Sequence, residues 1–429
     1  MKHKKTFPVL GFFALFTLNQ CQQNVSQSQS NIDNMKKETE TPAEIMKNEK
    51  PLTEENTVVK GNNQFANDLF YYYSHSEIMK DKNIFFSPYS IYSALAMTSE
   101  GAKDQTAKEI QKVLHLPESS DLRQQGFENL ISTINTGSVN YKLTTANALW
   151  VQKEYAFLPE FIEINKTRYK ANAENLDFVH QSEIARKTIN TWVEDKTNNK
   201  IKDLLSENNI TKDTRLILTN TIYFKAEWAR QFEVEFTKEE DFKTANGKNI
   251  KTPMMKLQRA FPYLETEEAQ VLEMPYKKNE LSMIVILPKN GHTINSVGST
   301  EDLHTFLSNK INHELLNVSF PRFKIEAKYL MKEDLSKMGM PLPFSDKADF
   351  SGMTGSKELQ ISQVIHQTFV EVNEAGTEAA AATAVGMEAG GMPRLPKQFI
   401  ANHPFIFAIR QNSTGVILFM GVVNNPSEK

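Results

Sequence analysis

The chain has 429 residues, 40% hydrophobic and 24% charged, with a formal net charge of -3. That balance excludes a disordered chain or a bundle of membrane spans, and no basic stripe interleaved with aromatics points to nucleic acid. Its single cysteine, Cys21, leaves the body of the protein without disulfides, cysteine-ligated metal or a cysteine nucleophile.

The N-terminus opens with the basic "MKHKK" and then the apolar "FPVLGFFALFTL". This run of about a dozen residues is too short for a stop-transfer span, so residues 1–21 read as a signal peptide. Cys21 sits directly behind it, with Leu18 three residues earlier, an arrangement that resembles a bacterial lipoprotein signal. Acylated Cys21 would then be the first residue of the mature chain, lipid-anchored to the bacterial cell envelope. The bulk of Asn19 and Gln20 leaves an ordinary secretory signal, and a secreted protein, as the other reading. Residues 22–57 are rich in Gln, Ser, Asn, Glu and Lys without sustained periodicity, and read as a disordered polar tether.

The folded part is expected over 58–429 as one domain. "NQFANDLFYYYSHSEIM" has helical spacing, and "SPYSIYSALAMTSEGAKDQTAKEIQKVL" opens on Ser-Pro, a helix start. Further on, "YKLTTANALWVQ", "TRLILTNTIYFKAEW", "LSMIVILPKN" and "HELLNVSFPRFKIEAKY" read as β-branched and aromatic strands. "HPFIFAIRQNSTGVILFMGVVNNP" reads as two strands around a polar turn. The fold class is therefore α+β, a large sheet with helices packed on it.

Between two strand-like segments lies "NEAGTEAAAATAVGMEAGGMPRLP", residues 373–396, a stretch of small side chains without an apolar face or catalytic cluster. Elsewhere there is no G-x-S-x-G elbow, phosphate-binding loop, H-E-x-x-H or EF-hand spacing. His180, His292, His304 and His313 have no partner at ligand spacing. No catalytic residue, metal site or cofactor is expected.

In chain order, "NIFFSPYSIYSALAMTSEGAKDQTAKEI", "ANALWVQ", "INTWVEDKTNNKIKDLL", "LTNTIYFKAEW", "MGM…ADFSGM", "ISQVIHQTFVEVNEAGTEAAAAT" and "HPFIFAIRQNSTGVILFMGVV" resemble the serpin family of serine protease inhibitors. The resemblance spans the whole folded part. It implies a large central sheet, two further sheets, about eight or nine helices and an exposed reactive-centre loop at about 374–398. It also implies a monomer that traps a serine protease as an acyl-enzyme while the cut loop enters the central sheet as a new strand.

An inserting strand must present alternate side chains to the core. One face would carry Thr377, Ala379, Ala381, Thr383, Val385 and Met387, all uncharged. The other would carry Glu378, Ala380, Ala382, Ala384, Gly386 and Glu388, with both carboxylates on the exposed side. Gly376 supplies hinge freedom at the start, behind Glu374. The competing reading of "EAAAA" is a helix, since alanine is the best helix former.

Family spacing from Glu374, and back from Pro404, puts the reactive bond at Gly390–Gly391, with Ala389 or Met392 as bait if the register slips. Such a bond suits a small or permissive pocket, elastase-like or subtilisin-like, or a papain-like cysteine protease. Arg394 would suit a trypsin-like enzyme but lies four residues further on. The resemblance assigns Ser87, Ser90, Asn220 and His366 to a hydrogen-bonded gate beneath the central sheet, and Trp228 to its top. A non-inhibitory binding protein at the cell envelope is the alternative function.

Overall fold

Among the described residues, fifteen strands form two hydrogen-bonded sheets. The computed structural model describes residues 54–135, 140–298, 312–377 and 395–428. Cys21, residues 1–53 and the loop positions Glu378, Ala379, Ala380, Ala381, Ala382, Thr383, Ala389, Gly390, Gly391, Met392 and Arg394 lie outside them.

In chain order the helices are α1 (Glu54–Ser74), α2 (Pro88–Ser99), α3 (Asp104–Leu114), α4 (Ser120–Asn135), α5 (Pro159–Arg168), α6 (Ser182–Lys196), α7 (Ile294–Val297), α8 (Lys332–Met338) and α9 (Ser351–Thr354). The strands are β1 (Ile84–Phe86), β2 (Tyr141–Gln152), β3 (Asn172–Leu176), β4 (Leu216–Glu227), β5 (Lys238–Lys243), β6 (Asn249–Glu265), β7 (Ala269–Pro275), β8 (Leu281–Pro288), β9 (His313–Pro321), β10 (Phe323–Leu330), β11 (Ile361–Asn373), β12 (Gly376–Thr377), β13 (Lys397–Ile400), β14 (Phe405–Gln411) and β15 (Ile417–Val423). Nine helices among the described residues agree with the expectation. Helix α1 starts at Glu54, inside the stretch read as tether.

The six-stranded sheet runs β10-β11-β12-β4-β2-β3. The nine-stranded one runs β1-β15-β14-β8-β7-β6-β9-β13, with β5 also on β6. The two smaller sheets expected from the sequence are thus joined: β6 pairs with β5 and β9 along most of its length, then with β7 over Tyr263, Leu264 and Glu265. Its 17 residues are long enough to serve both ladders.

One sequence-read strand divides. "HELLNVSFPRFKIEAKY" breaks into β9 and β10, which belong to different sheets. Pro321 has no N–H to offer a ladder, and Arg322 leaves both ladders to donate its N–H to the Pro253 carbonyl at 2.9 Å.

The six-stranded sheet is covered on both faces. Helix α2 is buried along its whole length and packs on β2, β4 and β15. Ser87 starts it, its hydroxyl accepting the Ser90 N–H at 3.1 Å, with Pro88 in the first turn. On the opposite face α6 lays Ala185, Ile189 and Val193 over Trp150, Ile217 and Ile365. This double cover explains why β4 and β11 are buried in runs rather than in alternation.

In the other sheet Phe85, Phe407 and Phe419 stack, with Phe85 5.7 Å from Phe407 and 5.5 Å from Phe419. Gly421 makes room for them: a Cβ there would meet the Ile84 carbonyl oxygen at 2.3 Å and Phe407 at 2.9 Å. Gly421→Ala is therefore expected to destabilise the protein by about 1–3 kcal/mol, read from the urea midpoint. An unchanged midpoint would refute the close approach.

Candidate functional site

The seam between β4 and β11 is where the sequence-assigned residues meet. These strands run parallel and pair directly from Ile361↔Leu216 up to Thr368↔Ile222. Above Thr368 they part, and the dipeptide β12 lies between them. Gly376 faces Asn373 on one side and Glu227 on the other; Thr377 faces Val372 and Ala226.

The turn into β12 follows from its residues. Asn373 Oδ1 accepts the N–H groups of Ala375 at 3.0 Å and Gly376 at 3.3 Å, an Asx turn. Gly376 has φ 152, and a Cβ on it would lie 2.1 Å from the Ala226 carbonyl oxygen. Only glycine fits there.

Around this hinge, donors converge on main-chain carbonyls. Trp228 N–H donates to Ala375 O at 3.0 Å and Phe232 N–H to Glu374 O at 2.9 Å. The Trp228 indole Nε1 donates to Asn373 O at 3.0 Å, and its ring stacks on Tyr276 at 4.5 Å. The Tyr276 hydroxyl bonds the Thr377 hydroxyl at 2.7 Å. Thr377 is wholly buried.

Glu374 is 4% exposed. Arg322 Nε donates to both of its carboxylate oxygens at 2.8 Å, Arg322 Nη2 adds another bond, and the Thr237 hydroxyl donates as well. Burial alone would push the carboxyl up. The Arg322 and Thr237 bonds outweigh it and hold Glu374 below the ordinary glutamate range.

Beneath the parting lies the second cluster. Ser87, Ser90, Asn220 and His366 are all fully buried and joined in one network. The Ser87 N–H donates to His366 Nε2 at 3.0 Å, so that nitrogen is the acceptor and Nδ1 carries the proton, which it gives to Asn220 Oδ1. Asn220 Nδ2 then donates to Ser90 Oγ and to Asn147 Oδ1, the latter at 2.6 Å. Ser87 Oγ donates to Leu418 O at 2.6 Å. Since His366 and Asn220 are also direct partners across the seam, separating β4 from β11 breaks this network. Desolvation pushes the His366 pKa down to about 3, against the opposing Asn220 bond, so the ring is neutral at physiological pH.

Sequence reasoning missed several of these groups. Arg322 and Thr237 are remote in sequence from Glu374. The only signal was a lone arginine interrupting an apolar strand pattern at "FPRF". Tyr276 and Asn147 gave no signal. Two lysines also went unnoticed. Lys200 lies 5.3 Å from the Phe369 ring centre and Lys142 lies 5.9 Å from that of Tyr223, while Lys142 Nζ donates to Asn198 at 3.0 Å. Asn198 and Asn199 adopt left-handed φ of 51 and 59. The segment after α6 is thus pinned beside the two rings that flank the place where β4 and β11 part.

The seam itself is covered on both of its faces. On the α6 side of the seam Ile217, Thr219, Thr221 and Ile365 are fully buried.

A family model, Serpin (serine protease inhibitor), matches residues 60–426. The chain belongs to the serpin family. It is 41% identical over 377 residues to the human leukocyte elastase inhibitor, covering 85% of this serpin and 98% of the relative. A highly specific serpin of the insect Tenebrio molitor superposes with a TM-score of 0.76 at 33% identity, over 86% of this serpin and 98% of that chain. Human thyroxine-binding globulin in complex with thyroxine superposes at 0.77 with 32% identity, over 87% and 100%. The proteins it resembles thus include an elastase inhibitor and a thyroxine-binding globulin.

Two outcomes are expected at the site. Arg322→Ala leaves a buried carboxylate without its main donor, lowering stability by about 2 kcal/mol and making the hinge more susceptible to limited proteolysis; an unaffected hinge would count against the clamp. For His366, the unfolded imidazole titrates near 6.5 and the folded one near 3, so the unfolded chain binds the extra proton between them. Stability contributed by the neutral ring is complete above pH about 6.5 and falls as the solution is acidified, by roughly 2–3 kcal/mol by pH 4.5. His366→Gln should flatten that part of the urea-midpoint profile; a parallel profile would exclude the assignment.

Proposed function

We propose that this serpin inhibits serine-type endopeptidases as a suicide substrate, with residues 377–388 entering the seam between β4 and β11. The observation that carries the reading is β12, whose two residues already pair with both strands. If its two ladders continue in register, Ala379 falls beside Val370 and Phe224, Ala381 beside Thr368 and Ile222, and Thr383 beside His366 and Asn220. The two extrapolations agree, because Thr368↔Ile222 and His366↔Asn220 are the pairs now facing each other across the seam. Glu378 would fall beside Glu371 and the exposed Lys225, and Glu388 at the Ile361 end, both outside the small-residue run.

The chemistry is the protease's own. Its serine Oγ attacks the Gly390 carbonyl carbon, the Oγ–C bond forms, and the bond to the Gly391 nitrogen breaks as that nitrogen takes the proton relayed by the protease's histidine. Residue 390 stays esterified to the enzyme. With the loop cut, the freed strand exchanges the single β4–β11 ladder for two, and the tethered enzyme is carried with it before water hydrolyses the ester. A glycine on the N-terminal side of the bond favours a protease with a small or permissive pocket, elastase-like or subtilisin-like. Papain-like cysteine proteases fit the same loop. Acylation of Cys21 would hold the inhibitor at the outside of a bacterial envelope, and its loss in Cys21→Ser would release the protein from membranes on fractionation.

The alternative is a non-inhibitory binding protein, supported by the likeness to thyroxine-binding globulin. Incubation with pancreatic elastase, subtilisin and papain separates the two. An inhibitor gives an adduct stable on denaturing gels and releases a C-terminal fragment beginning at Gly391, and nicking its loop raises the unfolding temperature by more than ~10 °C. Cleavage without adduct or thermal gain would leave the binding protein. Within the inhibitor reading, Thr383→Arg places a charge against the buried His366 and Asn220 and should cut adduct yield more than ~10-fold while cleavage continues. Glu378→Gln, on the open side, should leave the yield unchanged. Equal yields from both variants would break the register.

A further inference from the structure

A cavity of about 760 Å³ opens where α1 and α3 end beside the last residue of α8. It shares no residue with the hinge or with the gate around His366. We propose that it is a binding site for a small organic cation with an aromatic body. The proposal is independent of the inhibitor reading.

The walls of the cavity are aromatic. Tyr71 and His75, one helical turn apart at the end of α1, stack with their ring centres 4.0 Å apart. Tyr71 is nonetheless 49% exposed, so one large ring is left open to water at the cavity's edge. Tyr72 beside it is held by α8, its hydroxyl donating to Asp334 Oδ1 at 3.0 Å. These contacts order the rings before any ligand arrives, which lowers the entropic cost of binding. Val113 and Met338 add apolar surface, and a cavity of this volume takes a whole small molecule.

Electrostatics select the sign of the ligand's charge. A helix carries partial negative charge at its carbonyl end. Helix α1, 21 residues long, ends at this cavity with no basic side chain in its last turn. Helix α3 ends on the same wall, where His115 closes it in the left-handed conformation. Asp68 adds a full negative charge. Its Oδ2 meets His115 Nε2 at 2.7 Å, which leaves Oδ1 for a ligand. His75 Nδ1 donates to the Tyr71 carbonyl at 3.0 Å, so in the neutral ring Nε2 is an acceptor. The opposing group is Lys112, which is exposed and keeps its ammonium in water. Two carbonyl ends, a carboxylate and the faces of ordered tyrosines together favour a cation, which the negative face of an aromatic ring attracts directly. An anion would meet Asp68 and both helix ends unfavourably.

Benzyltrimethylammonium is the probe for this site, with benzyl alcohol and benzoate as uncharged and anionic counterparts. Titration calorimetry of the intact protein should give the cation a Kd below ~1 mM, at least ~10-fold tighter than either counterpart. Asp68→Asn keeps the shape of the wall and Tyr71→Ala removes an exposed ring. Each should weaken the cation at least ~5-fold while the unliganded unfolding temperature stays unchanged. If either variant proves less stable, the ranking of the three probes on the parent still decides. Equal affinity for all three, preference for benzoate, or full cation affinity in both variants overturns the proposal. So does a parent that binds no cation at ~10 mM.

Discussion

The pairing of His366 with Asn220 across the seam is the constraint on which the molecule turns. These residues are opposed in the β4–β11 ladder, bonded through their side chains, and tied through Ser87 and Ser90 to the start of α2. Strands that pair without such a bolt can slide or part at the cost of main-chain bonds alone. Here parting also strands a buried imidazole and a buried amide, neither of which water can reach. Parting β4 from β11 here therefore costs side-chain as well as main-chain bonds, which favours the closed arrangement.

The hinge above is held in place by bonds from several distant segments. Asn373 and Gly376 turn the chain, Thr377 is seated against Tyr276, and Arg322 with Thr237 fixes Glu374. Below Thr377 the opening is narrowed by Phe369 and Tyr223, each with a lysine beside its ring, and the segment after α6 is held there by the Lys142 bond to Asn198. The positive φ at Asn198 and Asn199 belongs to a segment shaped by its fit over the sheet rather than by its own preferences.

Much of this was legible in the sequence, for reasons that can be named. Ser87-Pro88 marks a helix start because an N-cap hydroxyl and a missing N–H are local needs, and β2 was delimited correctly because its composition changes abruptly at both ends. Gly376 was legible because close approach demands glycine. What the sequence concealed were relations between distant segments: Arg322 with Glu374, the continuity of two sheets through β6, and the second cover supplied by α6. That cover changed the reading of the loop. Charge parity alone suggested one buried face, whereas Ile217 and Ile365 lie beneath Ala185, Ile189 and Val193. Under the proposed insertion, alanines on both faces would have a single steric cause.

That steric cause also bears on the balance between the two states. Inserting a strand between β4 and β11 removes one ladder and creates two, so main-chain bonding favours the open arrangement. The side chains of the incoming strand add little apolar area of their own, because they are small. Under the proposed insertion the gain would come chiefly from the backbone and from α2 and α6 closing over the new strand as they close over the seam now. A larger side chain on either face would bury more surface but would force α6 further from Trp150 and its neighbours, and interiors at native density resist that displacement. Under the proposed insertion, small residues are what would let the opened sheet keep both of its covers.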